Sequence, residues 1–157
     1  MNLDAQSPPR PMRSAATAGL AMVRRSSLGV LVILVVEFGF GMYVNLYLTV
    51  PRADHGRSLG TAIAKGPAML SVHAVTGLLL GLGAVAVLVQ AIRARHLAII
   101  VSSAAGLFAL AAASVTGTSF TSSGHPAESM GMAVLTGVAL LCYAANLYLL
   151  RPPRRRG

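Results

Sequence analysis

The sequence predicts an all-α integral membrane protein, an antiparallel four-helix bundle, and three observations carry that reading. Four apolar stretches are each long enough to cross a bilayer, which takes about 20 residues of helix. Three of them hold no charged residue, and the first holds only Glu37. The arginines between them fall on alternate sides of the expected path. Composition agrees, with 55% hydrophobic and 11% charged residues and a mean hydropathy of +0.69, values of the membrane class.

The elements follow in order. Residues 1–27 are rich in Pro, Ser, Ala and Arg, with too little apolar side chain to pack, so a disordered cytoplasmic basic tail is expected there. The transmembrane domain is expected over residues 28–150. Its first span, 28–50, is longer than a signal-peptide core of about 7–15 residues and is read as a retained helix. Residues 51–67 form the longest loop, with room for a short interfacial turn of helix at 60–65. The second span, 68–92, and the third, 97–120, are joined by Arg93-Ala94-Arg95-His96. So short a linker makes these helices antiparallel neighbours. A polar turn over 121–128, centred on Gly124, His125 and Pro126, leads to the fourth span, 129–150. Residues 151–157 are a basic C-terminal tail.

Charge sets the expected orientation. Arg10, Arg13, Arg24, Arg25, Arg93, Arg95, Arg151, Arg154, Arg155 and Arg156 all fall on one side, and only Arg52, Arg57 and Lys65 on the other. Basic residues of short loops stay in the cytoplasm, so both termini are expected there, in the plasma (inner) membrane of a bacterium. The preference for Arg over Lys, with abundant Ala, Gly and Val, suggests a GC-rich bacterial genome. A net charge of +9 in a soluble chain would suggest nucleic acid. Here the charges flank the spans, so anionic lipid head groups are the expected partner and nucleic acid is not. A homo-oligomer or a larger membrane complex is compatible with the pattern.

Small residues mark the expected helix contacts, because close backbone approach drives packing in lipid. Gly77 and Gly81 form a GxxxG pair on the second helix, and Ala109, Ala113 and Gly117 a matching stripe on the third. Glu37, Gly41 and Asn45 recur every four residues on the first. The peptide Asn45-Leu46-Tyr47-Leu48 returns as Asn146-Leu147-Tyr148-Leu149, its tyrosines placed as interfacial anchors.

Chemistry is concentrated in a few polar residues. An ionisable group within a span is a functional candidate by default, which singles out Glu37. It is expected near mid-membrane, roughly 13 Å from the end of its helix. Counting the same depth along the other helices reaches Gly81, Gly83, Gly106 and Leu141–Cys142. A carboxylate withheld from water there loses the solvation of its charge, which makes a proton-coupled role one reading. His73, one turn before Gly77, is expected to make a polar contact with Asn45 or Ser114. Haem ligation by His73 is the alternative, although a second intramembrane histidine is lacking.

Other residues carry less. Asp54, His55, His125 and Glu128 share one side, but their spacing matches no metal motif and they are read as solvated loop residues. Cys142 is single, excludes an intramolecular disulfide and is read as a small apolar side chain. No nucleophile elbow, phosphate loop or HExxH occurs, so neither enzyme motif nor metal site is expected.

A four-helix protein with one membrane-embedded glutamate in its first helix resembles the small multidrug-resistance exporters. That resemblance implies exchange of protons for cationic drugs at Glu37. The chain departs from them in its greater length, its lack of tryptophan and its long first loop. The run Glu37-Phe38-Gly39-Phe40-Gly41-Met42-Tyr43-Val44-Asn45-Leu46-Tyr47, followed by His73 in the second span, also resembles small four-helix membrane proteins of actinobacteria. That second resemblance implies no activity. The expected function is therefore a non-enzymatic transporter-like unit or accessory subunit built around Glu37. The alternative is a redox protein in which His73 serves haem or quinone.

Overall fold

The computed structural model describes residues 10–47, 68–123 and 125–151, apart from the side chains of 10–17, 44, 45, 70, 121 and 122. These residues form four helices: α1 (Arg10–Tyr47), α2 (Ala68–Arg93), α3 (Leu97–Ser123) and α4 (Pro126–Leu149). Each contains a stretch long and apolar enough to cross a membrane. The chain is thus a multi-pass, all-α membrane protein. The helices stand antiparallel in a ring, with α1 and α3 each packed between α2 and α4, and α3–α4 as the closest pair. The start of α1, the α2–α3 turn and the end of α4 share one end, which carries Arg24, Arg25, Arg93, Arg95 and Arg151. We call it the basic end and its opposite the far end.

Alanines share the interior with a few large side chains such as Leu34, Ile99 and Tyr143, while many other large ones face out. Ala84, Ala91, Ala109, Ala113 and Ala139 are buried, whereas Leu78 is 67% exposed, Phe108 76% and Leu141 72%. Lipid tails are as apolar as leucine, so burying large side chains gains little and close backbone approach decides the packing. Gly106 shows this directly, since a Cβ there would lie 3.0 Å from Cε2 of Tyr143 and 3.2 Å from Cβ of Cys142. Polar contacts add to the same α3–α4 seam. The Ser102 hydroxyl donates to the Cys142 carbonyl at 2.8 Å, and Asn146 Nδ2 donates to Ser103 Oγ at 2.9 Å.

Two tight turns fix the register. Arg95 adopts φ 53°, the left-handed conformation that closes a helix C-terminus. The carbonyl of His96 then accepts the first bonds of α3, from the N–H groups of Ile99 and Ile100. At the far end, Pro126 opens α4 and Glu128 follows two residues later in the same first turn, where a carboxylate complements the helix dipole. The Ser123 hydroxyl donates to the Glu128 carboxylate across this turn. Tyrosines flank the spans: Tyr43 and Tyr47 stack 5.0 Å apart at the far end, and Arg151 sits 5.2 Å over Tyr148 at the basic end. That is where amphipathic rings meet a membrane interface.

Three expectations are corrected. The tail expected over residues 1–27 is helical from Arg10 onward, and Val23 (1% exposed) and Ser27 (0%) lie in the interior. The reason is a continuous inner face, Val23, Ser27, Val30, Leu34, Glu37 and Gly41, which runs through the polar-looking stretch while Arg24 and Arg25 point outward. The membrane-length part of α1 accordingly lies at Ala18–Tyr43 rather than 28–50. The turn expected over 121–128 is much shorter, because α3 continues to Ser123 and α4 begins at Pro126. Residues 1–9, the loop 48–67 and the tail 152–157 lie outside the described residues.

Candidate functional site

Glu37 is 6% exposed on the inner face of α1. Its Oε1 lies 2.7 Å from Nδ1 of His73 on α2. The histidine ring is not aligned for a hydrogen bond along that line, so the contact is an ion-pair approach in which both Glu37 oxygens and His73 Nδ1 lack hydrogen-bond partners. Hydroxyls that share the neighbourhood are already engaged. Ser114 donates to the Leu110 carbonyl at 3.0 Å and Thr136 to the Met132 carbonyl at 2.8 Å, each within its own helix.

Two glycines seat this pair. A Cβ on Gly41 would come within 3.3 Å of His73 Cε1, and one on Gly77 within 3.5 Å of Glu37 Oε1. Each polar side chain thus lies over a glycine of the opposite helix, four residues beyond that helix's own polar residue. Because α1 and α2 run antiparallel, the two Glu/His–x–x–x–Gly units interlock.

The pair stands on the wall of a cavity of about 620 Å³ to which all four helices contribute. That size lies within the range of about 300–1,000 Å³ typical of small-molecule sites. Its lining is mostly apolar, including Phe38, Met42, Phe120 and Met132, with Glu37 and His73 as its titratable groups. Several wall residues are also exposed: Leu78 and Leu82 on α2, and Ser114 and Thr118 on α3. The cavity therefore reaches the outer surface of the bundle between α2 and α3. Nearer the basic end those helices close up around Ala84, Val87, Ala91 and Ile99.

The predicted residues fare unevenly. Glu37 and His73 are brought together, whereas separate depths and partners were expected for them. Ser114 is not the partner of His73, and the side chain of Asn45 lies outside the described residues. Glu37 is also not level with Gly81, Gly83, Gly106 or Cys142. Gly83 lies beside Val30, two turns nearer the basic end, so the pair occupies the far-end third of the bundle. The earlier start of α1 accounts for this shift.

Among the packing residues, Gly77 meets Glu37, and Ala109 and Ala113 are buried. Gly117 meets Met132 of α4, where a Cβ would lie 3.1 Å from the sulfur. The α3 stripe therefore serves α4 as well as the interior, rather than matching the α2 glycines. Gly81 makes no close approach: a Cβ there meets nothing within 4 Å, because it faces the cavity. His125 is exposed and Glu128 caps the turn; no cluster of metal-ligating side chains occurs among the described residues. Asp54 and His55 lie outside them.

Sequence reasoning missed the buried Ser27, Ser103 and Asn146. Their periodic placement with Val23, Ile99 and Tyr143 on inner helix faces was the available signal. Comparison with protein-family models, with curated proteins and with solved structures finds no match.

Proposed function

We propose that this protein is a non-enzymatic, transporter-like binding unit that takes a small lipophilic molecule from the bilayer into its cavity. The Glu37–His73 pair holds the polar group of that molecule and exchanges a proton with it. One observation carries the reading: a buried carboxylate 2.7 Å from a part-exposed imidazole, on the wall of an apolar cavity that reaches the outer surface between two helices. An unaligned ion pair with unpartnered oxygens leaves hydrogen-bonding capacity for a ligand, and ionisable groups at membrane depth are otherwise costly to keep. The arginine bias supports an orientation with both termini in the cytoplasm of a bacterial inner membrane, the basic end meeting anionic lipid.

The test is ligand-induced thermal stabilisation of the purified protein, using a panel of lipophilic amines and neutral lipophilic carbonyl compounds. Stabilisation by members of either set that is lost in Glu37→Gln supports the reading. Equal stabilisation of wild type and Glu37→Gln by every compound would remove the pair from the site.

A redox reading has one specific observation in its favour. Glu37 lies 2.7 Å from Nδ1 of His73, and a small turn of the ring would make the carboxylate–histidine hydrogen bond that orients metal-ligating histidines. The visible spectrum decides: a Soret band that disappears in His73→Ala would replace the binding-unit reading by a haem protein.

A further inference from the structure

Below the cavity lies a second set of buried polar groups. Ser27, Ser103, Tyr143 and Asn146 are each 0% exposed. Asn146 Nδ2 donates to Ser103 Oγ at 2.9 Å, but Ser27 Oγ, Tyr143 OH and Asn146 Oδ1 have no partner. Helix contacts and residue spacing place them within about one turn of each other. Gly83 lies beside Val30 and Gly106 beside Tyr143, and counting equal helix lengths from the α2–α3 turn at Ala94–Arg95 brings Val87 and Ser103 to similar heights. Ser27, one turn below Val30, is thus level with Ser103 and Asn146, with Tyr143 one turn above.

A buried donor or acceptor left without a hydrogen bond keeps the full penalty of its desolvation. Three of them within one turn of each other in one small bundle ask for a shared occupant. Water serves neutral oxygens of this kind, typically through 2–4 hydrogen bonds at a buried site. Toward the basic end, Gln90 Oε1 and His96 Nδ1 are likewise buried and unpartnered, which extends the polar groups to the α2–α3 turn. Toward the far end, an apolar layer of Leu34, Leu80, Ala109 and Ala139 separates them from Glu37.

We propose that Ser27, Ser103, Tyr143 and Asn146 bind a water cluster that relays protons between the basic end and the Glu37–His73 pair. The inference rests on the proton-exchange reading above and adds the side from which the proton comes. Among the described residues Glu37 faces one titratable group, His73 on α2, and the cavity walls of α3 and α4 offer it hydroxyls and no charge. The water layer faces Tyr143 from α4 and has His96 beneath it. Arg24 and Arg25 of α1 and Arg93 and Arg95 of the α2–α3 turn are exposed around its exit. In this relay the apolar layer must wet transiently, so its crossing would set the rate.

The experiment is infrared difference spectroscopy of the Glu37 carboxyl in proteoliposomes of uniform orientation, after a pH jump on one side, with Glu37→Gln assigning the band. The expected result is a response to a basic-end jump that slows by an order of magnitude in Tyr143→Phe, which keeps the ring, and in Ser27→Ala. The response to a far-end jump should stay unchanged in both, which a merely structural loss would not produce. A basic-end response unaltered in both variants, or a wild-type carboxyl that answers only from the far end, would overturn the relay. A carboxyl silent to jumps on both sides would overturn the relay and proton exchange together. Failure of ligand stabilisation with a normal relay would overturn the binding reading alone.

Discussion

Glu37 Oε1 and His73 Nδ1 lie 2.7 Å apart across the α1–α2 interface, and each side chain rests over a glycine of the other helix, Gly77 and Gly41. Two polar side chains and two absent ones therefore make a single lock. Its geometry requires the helices to approach closely and to keep one register.

The first prediction concerns coupling within that lock. In a double-mutant cycle of Glu37→Gln and His73→Ala, thermal unfolding in detergent should reveal a coupling of about 0.5–3 kcal/mol, the range for residues in direct contact. His73→Ala alone should be the worse single change, because it strands a buried carboxyl in an apolar wall. Strictly additive losses would mean that the two groups do not interact.

Glycine substitutions should separate packing from cavity. Gly41→Val drives side-chain carbons into the His73 ring and should abolish ligand stabilisation together with the coupling above. Gly81→Leu projects into open space, so the fold should tolerate it while the cavity fills. Stability within about 1 kcal/mol of wild type, with binding lost, is the expected pair of results. A large loss of stability in Gly81→Leu would show that α3 lies closer to α2 than described.

The α3–α4 seam gives a sharper contrast. Gly106→Ala places a methyl 3.0 Å from Tyr143 and should destabilise by about 1–3 kcal/mol through overpacking. Gly137→Ala, on the facing helix, meets nothing within 4 Å and should be neutral or slightly stabilising, as alanine favours helix by about 0.5–1 kcal/mol over glycine. Melting curves of the two variants in one detergent compare them directly.

Orientation has its own test. With Cys142 replaced by alanine, single cysteines at positions 10 and 155 should resist an impermeant thiol reagent in intact cells. One at position 58 should react. Labelling at 10 or 155 without labelling at 58 would invert the topology.

How much of this was legible in the sequence varies with the kind of signal. The four helices follow from uninterrupted apolar length, and the α2–α3 turn from four residues that cannot span anything else. The start of α1 was hidden because Arg24 and Arg25 read as a membrane boundary. In the structure they lie on the outer face of a helix whose inner face already holds Val23 and Ser27. Misplacing that boundary moved Glu37 toward the wrong neighbours. The spacing of Glu37 to Gly41 and of His73 to Gly77 was visible, but their pairing depends on the relative register of two helices separated by residues 48–67, which spacing within each helix does not contain. Ser27, Ser103 and Asn146 escaped notice because a hydroxyl or amide looks alike in sequence whether it faces lipid, water or a neighbour.

The window between α2 and α3 has a consequence for any measured affinity. Under the proposed function, a hydrocarbon-lined chamber open to the bilayer would be bathed in a solvent of acyl chains at very high local concentration, and a ligand would gain entry by exchange with a lipid tail or a detergent chain. Burial of its apolar part then contributes little, since that part leaves one oily surrounding for another. Selectivity falls to the few atoms that meet Glu37 and His73. Apparent binding constants should accordingly track the length and unsaturation of the surrounding lipid, and two laboratories using different detergents would be measuring two different competitions.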